Sequence, residues 1–129
     1  MRISFQRLAM AWLACGLALF AQDNTTQTPM RGWLSDENCA RGRANSGVYT
    51  GTNPECAKQC VAKGAKTVLI VPDQKQIFFV SNPEQVTNDI GDYVEVTGGL
   101  DSKAKTIRVA SLKMITKGSA SCARPKSSK

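Results

Sequence analysis

Lys105-Thr106-Ile107-Arg108-Val109-Ala110-Ser111-Leu112-Lys113-Met114-Ile115 is the stretch whose reading decides the fold. Ile107 and Val109 share one phase of a strand's two-residue period, and Leu112 and Met114 fall in the opposite phase. A single flat strand cannot do this, because a shift of one residue moves every side chain to the other face. The switch near Ala110-Ser111 therefore predicts a bulge or a sharp bend, the device by which a strand of a small barrel serves two sheets.

The segments upstream supply partners for such a strand. Asp92-Tyr93-Val94-Glu95-Val96-Thr97 alternates, with Val94 and Val96 inward and Glu95 outward, and Gly98 to Ala104 turns the chain into the last strand. Lys66 to Val71 and Gln76 to Val80 are short runs of β-branched and aromatic residues, joined by the turn residues Pro72-Asp73-Gln74-Lys75. Phe78 and Phe79 are adjacent, so one faces the core and the other faces out. Met30-Arg31-Gly32-Trp33-Leu34-Ser35-Asp36 reads as the first strand, with Trp33 a core or barrel-end residue and, as the alternative, a ligand platform.

Two segments carry helix signals. Asn53-Pro54-Glu55-Cys56-Ala57-Lys58-Gln59-Cys60-Val61-Ala62-Lys63-Gly64 has a capping Asn, a Pro at the first position, an acidic first turn and a closing Gly. Asn82-Pro83-Glu84-Gln85 repeats that opening and predicts one or two helical turns ending at Gly91. Between the first strand and the first helix, Glu37 to Thr52 is rich in Gly, Ser, Asn and Arg and reads as a long loop. Arg41 and Arg43 in it are candidate ligand-binding residues for an anion, set against ordinary solvation. The whole predicts a mainly β chain with one or two short helices, a small five-stranded OB-like β-barrel stabilised by disulfides.

The ends belong to other functions. Arg2 and Arg7 precede an apolar run from Leu8 to Phe20, and Ala21 offers a small residue for cleavage. Residues 1–21 read as a signal peptide, since the run is shorter than the roughly 18 to 20 residues of a spanning helix. Lipidation at Cys15 is the alternative. Residues 22–29 are a flexible leader, 30–116 the OB-like domain and 117–129 a basic tail. Without Arg2 and Arg7 the 17 basic residues fall to 15 against 10 acidic ones, leaving about +5. Lys117, Arg124, Lys126 and Lys129 carry much of that excess, so the expected partner contact is a weak one between this tail and an anionic surface. No membrane span is expected in the mature chain, and a monomer is expected.

Removing the leader leaves Cys39, Cys56, Cys60 and Cys122, an even count that favours disulfides in an exported chain. Four cysteines allow three connectivities. Cys56 and Cys60, four apart on one helix, cannot easily bond to each other, which favours Cys39 with Cys60 and Cys56 with Cys122. The alternative makes Cys39, Cys56 and Cys60 a thiol-redox or metal-handling site. Catalysis is not expected. The chain has no histidine to activate a Ser or Cys nucleophile, and Asp36, Glu37, Asp89 and Asp92 form no recognisable catalytic pair. No cofactor is expected. Phe78, Phe79, Tyr93 and Trp33 offer stacking rings for a polyanion, but the basic residues do not interleave with them.

Gly32-Trp33-Leu34-Ser35-Asp36-Glu37-Asn38-Cys39, the helix Cys56 to Cys60, Gly64-Ala65-Lys66 and Val94-Glu95-Val96-Thr97-Gly98 resemble a group of small exported bacterial proteins that carry no assigned activity. Their pattern is Gly-Trp-Ile-Ser-Asp-x-x-Cys, a Cys-x-x-x-Cys helix, a strand beginning Gly-Ala-Lys and a final Val-x-Val-Thr-Gly hairpin. The resemblance implies a secreted or periplasmic β-barrel-like domain. Where such proteins often carry Cys-Gly-Ala-Lys-His, this chain has Cys39-Ala40-Arg41-Gly42-Arg43, so a histidine-based metal site is not available to it. The expected function is an exported binding or structural module of the cell envelope.

Overall fold

A computed structural model describes residues 27 and 29–119. Five strands close a barrel in the order β1-β2-β3-β5-β4: β1 Met30–Asp36, β2 Thr67–Val71, β3 Gln76–Val80, β4 Tyr93–Asp101 and β5 Thr106–Thr116. All neighbours are antiparallel except β3 and β5, which run parallel through Phe79↔Thr106 and Val80↔Ile107. The expected OB-like barrel is what the chain forms.

The phase switch in β5 is a register shift. Thr97 pairs with Ser111 while Gly98 pairs with Val109, so Ala110 is the extra residue, and a second shift near Tyr93 leaves out Ile115. Ile107 and Val109 thus reach the barrel interior beside Leu34, Leu69, Phe78, Val94 and Val96, and Leu112 packs at its edge. Met114, which shares the phase of Leu112, is exposed together with Ile115.

Asn53 caps the expected helix, here α2 (Pro54–Ala62), by accepting from the N–H groups of Glu55 and Cys56, and Gly64 closes the segment at a φ of +104°. Ala57 is its fully buried side chain; Cys60 is half-buried and Cys56 faces solvent, so the two cysteines do not share the packed face. The expected long loop begins with a helix instead, α1 (Glu37–Ala44), capped by Asp36. Only Ala40 of α1 is buried, so the segment carries no apolar periodicity to announce it. The segment after β3 forms two 3-10 turns, Pro83–Gln85 and Thr87–Asp89. Asn82 makes no cap there, because its buried carboxamide is bonded to β5.

A second, smaller cluster lies outside the barrel wall. Ala40 of α1 covers Val68 and Ile70, joined by half-buried Trp33, Tyr49, Ile77 and Phe79. The β1–β2 connection is therefore an arm that folds back over the outer face of strands β1 to β3. Just beyond β5, Gly118 donates its N–H to Asp92, the residue before β4, at 2.7 Å, and lies so close to Gly91 and to Pro54 at the start of α2 that a Cβ there has no room.

Among the described residues the expected Cys39–Cys60 disulfide is not formed. Cys39, Cys56 and Cys60 are free thiols, and Cys122 lies outside the described residues, as do Cys15, the leader cleavage site and the tail positions Arg124, Lys126 and Lys129. Among the described residues the barrel is held by packing and hydrogen bonds, and no helix is long and apolar enough to cross a membrane.

Candidate functional site

Asp36 ends β1 and starts α1. Its carboxylate Oδ2 accepts from the N–H groups of Asn38 at 3.1 Å and Cys39 at 3.0 Å, the usual work of an N-cap. The same geometry fixes what surrounds it, because the cap residue and the third helical residue sit side by side at a helix start. Cys39 occupies that third position. Cys60 arrives from the last turn of α2, and a carboxylate oxygen of Asp36 and the two sulfurs all lie within 4.8 Å of one another.

Two features distinguish this cluster from a chance meeting. Asp36 is fully buried, yet its Oδ1 has no hydrogen-bond partner. The ion pairs among the described residues also pass it by: Arg31 pairs with Glu95, Arg41 with Glu37, and Lys58 with Glu55. A buried carboxylate held by two backbone N–H groups, with one oxygen bare, is an incompletely compensated charge. Burial, with the adjacent Asp36 carboxylate, pushes the Cys39 thiol up from its ordinary 9.0 to about 12. Cys39 is thus a protonated thiol at neutral pH.

The expected site residues separate. Cys39 and Cys60 come together, Cys56 stays in solvent, and Asp36 takes its place as third member of the cluster. Arg41 lies 5.4 Å from the Phe79 ring centroid, with Lys66 at 5.5 Å, and also approaches Glu37. Arg43 turns to the arm, donating to the Gly51 carbonyl and to the Thr50 hydroxyl at 2.8 Å. Both arginines thus contact groups of the protein itself, while the Arg41 side chain stays largely exposed.

Trp33 and Arg43 do border a cleft of about 690 Å³, with Val48, Thr50, Gly51 and Thr52. The indole is already in use there. A Cβ on Gly51 would meet its Cε3 at 2.7 Å, so the glycine backbone lies directly on the ring, and Tyr93 sits at 5.0 Å between centroids. Trp33 therefore packs the arm against the barrel. Barrels of this type commonly bind oligonucleotides or oligosaccharides on the face of strands 2 and 3. Here α1, Arg41 and Lys66 cover that face.

The signal for Asp36 was in the sequence. Asp36-Glu37-Asn38-Cys39 is a capping residue with a sulfur three positions on, a pattern that places carboxylate and thiol together once the helix is recognised. Comparison with protein-family models, with curated proteins and with solved structures finds no match to this chain.

Proposed function

We propose that this protein is an exported, non-catalytic binding module of the cell envelope whose binding group is the reduced pair Cys39 and Cys60 beside Asp36. The observation that carries the reading is the convergence of two unbonded sulfurs and a buried, half-satisfied carboxylate within 4.8 Å. The leader-like residues 1–21 and the resemblance to small exported barrel proteins support the location. A thiol pair held by two separate helices against the barrel wall is suited to taking a ligand between them.

The test is the state of the cysteines in the exported protein, purified without reductant, unfolded in the presence of an alkylating reagent and mapped by peptide mass. Cys39 and Cys60 are expected to carry the alkyl group. Recovery of the two as a linked pair would return them to the role of a structural cross-link and end this reading.

A further inference from the structure

Resting on that reading, we infer that Asp36, Cys39 and Cys60 form a three-donor site for a divalent ion of the zinc class, with a fourth coordination position left to an outside ligand. The donor set is two sulfurs and one carboxylate oxygen. Thiolate donors select zinc-class and softer ions over magnesium or calcium, and the carboxylate favours a borderline dication such as Zn²⁺ over Cu⁺. Zn–S bonds of about 2.3 Å and Zn–O bonds of about 2.0–2.2 Å set tetrahedral donors about 3.5–3.8 Å apart. Donors already within 4.8 Å reach that spacing by side-chain rotation or a small approach of α1 to α2. A disulfide asks for more, since its sulfurs must close to about 2.05 Å.

The second observation is independent of the sulfurs. Asp36 is fully buried and its Oδ1 has no partner, while Oδ2 is spent on the start of α1. Oδ1 is thus a donor atom in want of a positive partner, and no lysine or arginine of the described residues forms an ion pair with it. A dication supplies the missing charge to three groups at once. The balance is simple: two thiol protons leave to solvent as two S–metal bonds form, and nothing is oxidised.

Three protein donors define an open site. Structural zinc is held by four, and sites that exchange a ligand keep one position free. Cys60 is half-buried and next to exposed residues of α2, so the free position faces the outside of the barrel, where a water or a donor from another molecule completes the shell. The site is suited to capturing an ion and passing it on. Occupation would also explain how two adjacent thiols persist in an oxidising compartment.

The experiment uses the full chain, purified after export, with its thiols counted before any metal is added. Titration with Co²⁺ should give one equivalent bound per chain with a sulfur-to-cobalt charge-transfer band, displaced by Zn²⁺. Cys39→Ser and Cys60→Ser should each lower affinity at least 100-fold. Asp36→Asn, which keeps an oxygen for the helix cap, should lower it 10- to 100-fold while circular dichroism stays native. Cys56→Ser should bind as the parent does. Folded protein with both thiols free that shows no charge-transfer band at one equivalent overturns the metal assignment and leaves the thiol-pair reading standing. A Cys39–Cys60 disulfide in the thiol count overturns both, and binding lost in Cys56→Ser but kept in Cys60→Ser moves the site elsewhere and overturns the assignment too.

Discussion

The side chain of Asn82 pairs in both directions with the backbone of Val109: its Nδ2 donates to the Val109 carbonyl at 2.7 Å, and its Oδ1 accepts from the Val109 N–H at 2.8 Å. The carboxamide here imitates a peptide group. The parallel pairing of β3 and β5 covers two residue pairs and is extended by Ser81 N–H to the Ile107 carbonyl; Asn82 then continues it with a side chain up to the bulge at Ala110.

Asn82→Ala removes two buried hydrogen bonds and leaves a backbone donor and acceptor of β5 unpaired. The expected loss is about 2–4 kcal/mol, read as a melting temperature lower by on the order of 10 °C. Asn82→Asp keeps the acceptor and loses the donor, so it should also destabilise. A variant melting with the parent would show that Val109 finds water instead.

Two glycines should respond with opposite sign to the same change. A Cβ on Gly98 would lie 1.9 Å from the Arg108 carbonyl oxygen, across the bulge, so Gly98→Ala should cost about 2–3 kcal/mol or prevent folding. Gly42 lies inside α1 with nothing within 4 Å of its Cβ position, so Gly42→Ala should stabilise by about 0.4–1 kcal/mol. Paired urea melts compare them directly.

Alkaline pH should weaken the metal-free fold through Cys39. Its folded pKa is raised from 9.0 to about 12, so the stability it contributes is complete below pH 9. From there to about pH 12 the unfolded chain gives up the proton and the folded chain keeps it, and stability falls. Denaturation between pH 8 and 11 should show this slope in the parent and a flatter one in Cys39→Ser. Alkylation of the native protein at pH 8 should reach exposed Cys56 well before Cys39.

Polyanion binding, if measurable, should belong to the tail. With α1 over the strand β2–β3 face, a chain ending at Ser119 should elute from heparin at lower salt than the full chain, which carries Arg124, Lys126 and Lys129 beyond that point. Equal retention of both would place a basic surface on the barrel itself.

Strands were legible because alternation and phase are written residue by residue: Val94 and Val96 inward, one of Phe78 and Phe79 inward and the other outward, and the break near Ala110-Ser111. The capped helix at Asn53 was legible for the same reason, since its signals are local. α1 was hidden. Arg41, Gly42 and Arg43 read as loop, and with Ala40 the only buried residue of α1 no stripe of apolar residues marks the helix. Losing α1 meant losing Asp36, whose role exists only if Cys39 stands one turn into a helix. That Cys39 should meet Cys60 rested on a reasoned pairing; that they meet as unbonded thiols with a carboxylate is a product of how two helices sit on one wall.

Closure of the ring also sets when the chain can fold. β1 is zipped to β4 through Met30↔Val96, and β3 is joined to β5 through Phe79↔Thr106. A nascent polypeptide that stops before Tyr93 owns three strands and no way to enclose Leu34, Leu69 and Phe78. Such distant pairings are slow to find and late to reward the entropy they consume. The last third of the polypeptide therefore decides when the earlier part can close around a core.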